Sequence, residues 1–163
     1  MPRRPRFALT DFPLHIVQRG NDRQPCFFGD ADYRTYLQAL EDASAHYGVR
    51  IHAYVLMTNH VHLLATPLAV GAISRMMQSV GARYVGYVNA TYRRTGTLWE
   101  GRYHACLVDA DAYVAAACRY IDLNPVRAGM VTDAAAYEWS SHRHYVGQRR
   151  DPQLTPHALY WGL

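Results

Sequence analysis

Apolar positions along the chain follow two periods, and the switches between them mark the elements. Leu14-His15-Ile16-Val17-Gln18-Arg19 is a short, partly β-branched run closed by Gly20-Asn21, which predicts a strand and a turn. From Asp32 to Tyr47 the positions Tyr33, Tyr36, Leu37, Leu40, Ala43 and Tyr47 fall at helical spacing, with Asp30 the expected N-cap and Gly48 the stop. Arg50 to Met57 and Val61 to Thr66 are two further apolar runs, separated by the polar Thr58-Asn59 with His60 at the junction. They predict an antiparallel hairpin, and their Ile, Tyr, Val and Leu content suits the centre of a sheet.

Between Gly71 and Tyr92 a helical stripe returns through Ile73, Met77, Val80, Tyr84, Tyr87 and Val88, ending at Arg93-Arg94-Thr95-Gly96. Arg102 to Val108 predicts a fourth strand. A third helix, capped by Asp109 or Asp111, is expected to end near Asn124, because Pro125 disfavours helical geometry in its predecessor. The order β-α-β-β-α-β followed by a helix predicts an α+β, ferredoxin-like split βαβ arrangement. In it an antiparallel sheet carries helices on one face. Residues 133–163 contain Trp139, Tyr145, Tyr160 and Trp161 with little periodicity and are expected to be an appended packing segment. No repeat or linker divides the chain, so 1–163 is expected to be one domain.

Composition narrows the setting. Half of the 163 residues are hydrophobic and 18% are charged, which excludes an intrinsically disordered chain. The longest apolar run, Ala112 to Cys118, is far too short for a membrane span. The basic start is not followed by a signal-type apolar stretch, so a cytoplasmic location and no membrane partner are expected. Cys26, Cys106 and Cys118 are odd in number and lack paired metal spacing, so they are expected to be buried thiols. The net charge of +4 suits a polyanionic partner without requiring one. All 17 basic residues are arginine, whose planar fork suits phosphate, although a GC-rich genome explains the same bias.

The strongest local chemistry is Asn59-His60-Val61-His62-Leu63-Leu64. Residues i and i+2 of a strand project the same way, so two imidazoles can converge on one cation; two buried, hydrogen-bonded histidines would give the same pattern. On the third helix Tyr120 and Asn124 lie one turn apart on a single face. There the Asn124 amide could complete a metal site and the Tyr120 hydroxyl could face the same cation. With 13 tyrosines in the chain, a core tyrosine is the competing reading. Tyr113, two turns earlier, is an alternative nucleophile. His142-Arg143-His144 repeats the spacing outside the predicted sheet, where surface histidines are expected. Asp122, two residues from Tyr120, is expected to point elsewhere.

Five segments carry a joint resemblance, in order, across Ile16 to Ser141. They are Ile16-Val17-Gln18-Arg19-Gly20-Asn21, Ala53-Tyr54-Val55-Leu56-Met57-Thr58-Asn59-His60-Val61-His62-Leu63-Leu64, Gly96-Thr97-Leu98-Trp99-Glu100-Gly101-Arg102-Tyr103, Arg119-Tyr120-Ile121-Asp122-Leu123-Asn124-Pro125-Val126-Arg127-Ala128-Gly129 and Trp139-Ser140-Ser141. With these the chain resembles the REP-associated tyrosine transposases, relatives of the small insertion-sequence transposases within the HUH superfamily of single-strand nucleases. The resemblance implies a ferredoxin-like fold, His60 and His62 as metal ligands, and Tyr120 as the nucleophile that forms a 5′-phosphotyrosine link and frees a 3′ hydroxyl. Asn124 falls where relatives place a polar third ligand, often Gln.

The implied cofactor is Mg²⁺ or Mn²⁺, although imidazole ligands equally suit zinc, iron or nickel. A tyrosine hydroxyl ionises only near pH ~10, so the cation's expected task is to polarise and orient the scissile phosphate. Arg19, Asn21, Arg23, Arg102 and Arg127 lie in or beside the matched segments and are expected to contact DNA; each could instead be a solvated surface group. Arg93-Arg94 and Arg3, Arg4 and Arg6 could extend that basic track. The expected function is cleavage and rejoining of single-stranded DNA, at hairpin-forming repetitive palindromes. The alternatives are a water-using phosphodiesterase and a non-catalytic hairpin-binding module.

Overall fold

The computed structural model describes residues 10–108 and 110–157. The basic Arg3, Arg4 and Arg6, the capping candidate Asp109, and Tyr160 and Trp161 lie outside the described residues. Strands β1 (Leu14–Arg19), β2 (Val49–Leu56), β3 (His60–Pro67) and β4 (His104–Leu107) form one sheet in the order β2-β3-β1-β4. Every neighbouring pair is antiparallel. Helices α1 (Asp30–Tyr47), α2 (Ala72–Tyr92), α3 (Asp111–Arg127) and the single turn α4 (His142–Tyr145) complete the fold. This is the ferredoxin-like, split βαβ order that the periodicities predict.

The two faces of β1 differ, and the difference positions the site. Leu14, Ile16 and Gln18 are buried, whereas His15, Val17 and Arg19 are half-buried. Side chains alternate across a pleated strand, so the first set belongs to the main core. The second set shares its face with His62, which lies opposite Val17 in the β1–β3 register. Helices α1 and α2 pack on each other and on the sheet. Their long apolar stripes bury Tyr36, Leu40, Met76 and Tyr84 completely. Helix α3 packs on β2 and β3 over the His62 face.

The ends of the helices correct three expectations. Asp30 is the first residue of α1 and not its cap. The capping carboxylate is Asp32, which accepts hydrogen bonds from the backbone N–H groups of Phe28 and Gly29 at 2.8 and 3.1 Å and from the Tyr87 and Tyr92 hydroxyls at 2.8 and 2.7 Å. A fully buried carboxylate with four donors binds the start of α1 to the end of α2. Likewise Asp111 is the first helical residue of α3, and Ala110 occupies the N-cap position.

The third correction concerns Pro125, which does not end α3 near Asn124; the helix continues to Arg127. Its missing N–H costs one hydrogen bond in the last turn, where the stop is made by Gly129 instead. With φ +73°, Gly129 donates its N–H to Val126 O at 3.0 Å, and Met130 donates to Pro125 O at 3.0 Å. That paired closure is a Schellman motif, and its left-handed position favours glycine.

The segment after α3 lies along β2. Leu56 N donates to Trp139 O at 2.8 Å and Ser141 N to Tyr54 O at 2.9 Å, while Ser141 Oγ accepts from Tyr54 N at 2.9 Å. Further on, Thr155 N donates to Ile51 O at 2.7 Å. Trp139 stacks on Tyr33 with ring centroids 4.7 Å apart. The segment thus satisfies backbone groups that an outermost strand leaves bare. Of the cysteines, Cys26 and Cys118 are buried as expected, and burial holds each thiol up at about 12. Cys106 corrects the expectation: it is exposed, on the short edge strand β4.

Candidate active site

His60 opens β3 and His62 follows two residues later, so both rings leave the sheet on the half-buried face, with centroids 5.0 Å apart. Each ring has one nitrogen anchored. His60 Nδ1 donates to Asn59 Oδ1 at 2.7 Å. His62 Nδ1 pairs with His15 Nε2 at 3.0 Å, one nitrogen donating and the other accepting. When His62 Nδ1 donates, its Nε2 keeps a lone pair on the side of Asn124, whose amide nitrogen lies 3.4 Å away. Asn124 also bonds His60. The buried amide therefore stands between the two imidazoles, and its oxygen and nitrogen exchange places by a simple flip.

Electrostatics keep both rings neutral. Burial lowers His60, and the Arg19 guanidinium lowers it further, with the Asn124 bond opposing. His62 is pushed down to about 3, chiefly by burial and then by His60, His15 and Arg19. A neutral imidazole is the form that binds a cation. Two Nε2 atoms and one amide oxygen are a fitting partial shell for a divalent ion, which substrate oxygens and water would complete. Among the described residues no three His, Cys, Asp or Glu side chains cluster for a metal, so the amide is the third donor available.

Tyr120 sits one turn before Asn124 on α3 and is 41% exposed, its ring set edge-on against both His62 and His15 at centroid distances of 5.4 and 5.9 Å. The hydroxyl-bearing ring is thus at the site and also open to a large substrate, unlike the core tyrosines Tyr36, Tyr54 and Tyr84. The guanidinium of Arg127 lies 4.9 Å over its ring. Tyr113 is 63% exposed near the start of α3, two helical turns before Tyr120.

The remaining predicted contacts divide. Arg19 stands beside His60, its partner in the β1–β3 register. Asn21 and Arg23 are exposed on the following turn, where Asn21 Nδ2 donates to Thr97 Oγ1 at 3.4 Å and Arg23 O accepts from Asn59 Nδ2 at 3.2 Å. That turn is held tightly against the hairpin: Gly20 N donates to Asn59 O at 2.8 Å, and a Cβ on Gly20 would lie 2.2 Å from Gln24 O. Arg102 is not at the histidines; it lines a separate cavity.

Two residues of the site escape sequence reasoning. Asn59 reads as turn filler, yet it orients His60. His15 reads as a strand residue, yet it orients His62 from a diagonal position across the β1–β3 pair, where long side chains meet. The faint signal for His15 is its strand parity, which places it on the same face as Val17, opposite His62.

The expectation of surface histidines at His142-Arg143-His144 is corrected. His142 Nδ1 lies 3.1 Å from Asp122 Oδ2, and His144 Nδ1 accepts from Asp151 N at 2.9 Å. Both are half-buried. Asp122 does point away from the site, towards this pair.

An antiparallel sheet that presents paired imidazoles to a helix-borne tyrosine and amide defines the general class as an α+β protein with a polar site between sheet and helix. Residues 8–124 match the family described as "Transposase IS200 like". The chain belongs to the IS200-like transposase family, and so to the DNA-processing transposases. Among solved structures it is similar to a REP-associated tyrosine transposase bound to a REP hairpin, at 17% identity and a TM-score of 0.75, covering 98% of this chain and 93% of that one. It is also similar to a putative transposase from Deinococcus radiodurans R1, at 18% identity and a TM-score of 0.51, covering 69% and 91% respectively. Comparison with curated proteins gave no match. Among the described residues no helix is long and apolar enough to cross a membrane.

Proposed function

We propose that this transposase cuts and rejoins single-stranded, hairpin-forming DNA through Tyr120, with His60, His62 and Asn124 holding Mg²⁺ or Mn²⁺. One observation carries this reading: the Tyr120 ring packs on the same His62 whose Nε2 faces Asn124, one helical turn further along. A core tyrosine or merely packed histidines would not require an exposed phenol at that point. The hairpin substrate is the reading favoured by likeness to the hairpin-bound transposase.

In this reading the Tyr120 oxygen attacks a phosphodiester phosphorus. The new bond joins Tyr120 to the 5′-phosphate of the downstream strand. The bond to the upstream 3′ oxygen breaks, and that oxygen leaves as a hydroxyl while the phenol loses its proton. The bound cation would supply charge neutralisation on the phosphate oxygens. His15 and Asn59 hold the imidazoles in their ligand orientation. Arg127 orients the phenol ring from its outer face, and Arg19 adds positive charge for the phosphate. The ester conserves the energy of the cleaved bond, so a second 3′ hydroxyl can reverse the step on a new strand.

The test is incubation of the protein with hairpin oligonucleotides labelled at either end, with Mn²⁺, on a denaturing gel. Label should move to the protein from the 3′-labelled strand only, and not with Tyr120→Phe or with chelator. Cleavage that persists in Tyr120→Phe without an adduct would establish a water-using phosphodiesterase instead. Chelator-resistant binding with no cleavage under either metal would leave a hairpin-binding module.

A further inference from the structure

A second polar site lies on the other side of the sheet. A cavity of about 330 Å³ is lined by Gln18 of β1, Ser74, Met77 and Gln78 of α2, and Arg102 and Tyr103 of the loop before β4. Gln18 is 8% exposed, and no side-chain hydrogen bond satisfies its amide among the described residues. An amide that opens on a cavity without a protein partner is available to a ligand there. Arg102 has no ion pair with a carboxylate among the described residues and is half-buried at the rim. The Ser74 and Tyr103 hydroxyls pair at 2.8 Å on the wall, and Met77 supplies an apolar surface.

We infer that this cavity receives one unpaired nucleotide of the bound DNA, with the base held by the Gln18 and Gln78 amides and its phosphate by Arg102. This rests on the proposed function and deepens it. An amide presents a donor beside an acceptor, which matches the edge of a base left unpaired. A guanidinium matches the phosphate that accompanies it, and a thioether lies readily against a base face. The position in the sheet suits a strand that continues from the metal site. Gln18 immediately precedes Arg19, which lies opposite His60, so the two sites meet at one end of β1 from opposite faces. The loop from Gly96 to Tyr103, which the chemistry at Tyr120 does not use, is bound to that same end. Asn21 N donates to Leu98 O and Glu100 N to Arg19 O, each at 2.8 Å. Its function is then to place Arg102 and Tyr103 over Gln18.

The test is binding of the full chain, by fluorescence anisotropy, to a hairpin with single-stranded tails in which one tail position at a time is abasic. At one position the abasic change should weaken the wild type by about 10-fold, and Gln18→Leu should show no further loss there, because the two changes remove one interaction. Gln78→Ala, on the exposed rim where folding does not depend on it, should blunt the same position by about 3-fold. Thermal unfolding of Gln18→Leu separates a local loss from misfolding. Equal abasic penalties in wild type and both variants would overturn the pocket. If the wild type forms the Tyr120 adduct in the same samples, that result leaves the proposed chemistry intact; if it neither binds nor forms an adduct, both readings fall.

Discussion

His60-Val61-His62 and His142-Arg143-His144 have the same spacing and opposite uses. The first pair stands on a strand, where the spacing turns both rings to one face, and each ring has one nitrogen fixed and one turned to Asn124. The second pair stands on a single helical turn, where residues i and i+2 diverge, and its rings bind Asp122 and the backbone of Asp151. The surroundings invert their acid-base character as well. Burial lowers His60 and His62, whereas the Asp122 hydrogen bond raises His142. A motif of this kind acquires meaning only from the element that carries it.

The sharpest way to break this comparison is substitution within each pair. His62→Ala should reduce the initial rate of adduct formation by about 100-fold or more. His142→Ala should leave the rate per folded molecule within about 5-fold, since it touches neither Tyr120 nor the histidines; an equal loss in both variants would erase the distinction. Next comes pH. His62 falls from 6.5 to about 3 on folding, so the unfolded chain holds more protons between those values. Urea unfolding of the wild type in chelator should therefore show stability declining as pH falls through that window, and His62→Gln should flatten the decline.

The opposite sign applies to His142. Its folded value lies above 6.5, so its contribution is fully present below that pH and is lost as pH rises through the folded value. His142→Ala should cost about 1 kcal/mol at pH 6 and less at pH 8.5, by the same urea measurement. Smallest is Gly129→Ala, expected to lower stability by about 1 kcal/mol or less through strain at φ +73°, with a shift in the urea midpoint and no change in its slope.

The main elements were legible because each is long and strongly periodic. β1 matches its predicted bounds, and α1, α2, β2 and β3 differ from theirs by at most two residues. The ends were less legible because they are set by particular hydrogen bonds. Pro125 suggests a break in α3, and the neighbouring Gly129 makes the stop; Asp32 caps α1 from inside the helix where Asp30 lies nearer the expected position. Within the site, His60 and His62 share a strand and Tyr120 and Asn124 share a helix, so local spacing brings each pair together. His15 and Asn59 join them only through the β1–β3 register and the hairpin turn, which spacing does not reveal. The Gln18 cavity is fainter still, since its walls come from three separate elements.

The covering of β2 by residues near Trp139–Ser141 and Leu154–Thr155 also sets a timetable for synthesis. Strands β1, β2 and β3 are all made before residues 139–155, and until that segment arrives the backbone groups of Ile51, Tyr54 and Leu56 lack the partners it supplies. During that interval a neighbouring nascent chain can pair where Ser141 later binds. Residues 139–155 therefore close the outer edge of β2 from within the same chain, withdrawing it from pairing with neighbouring chains once they fold against it.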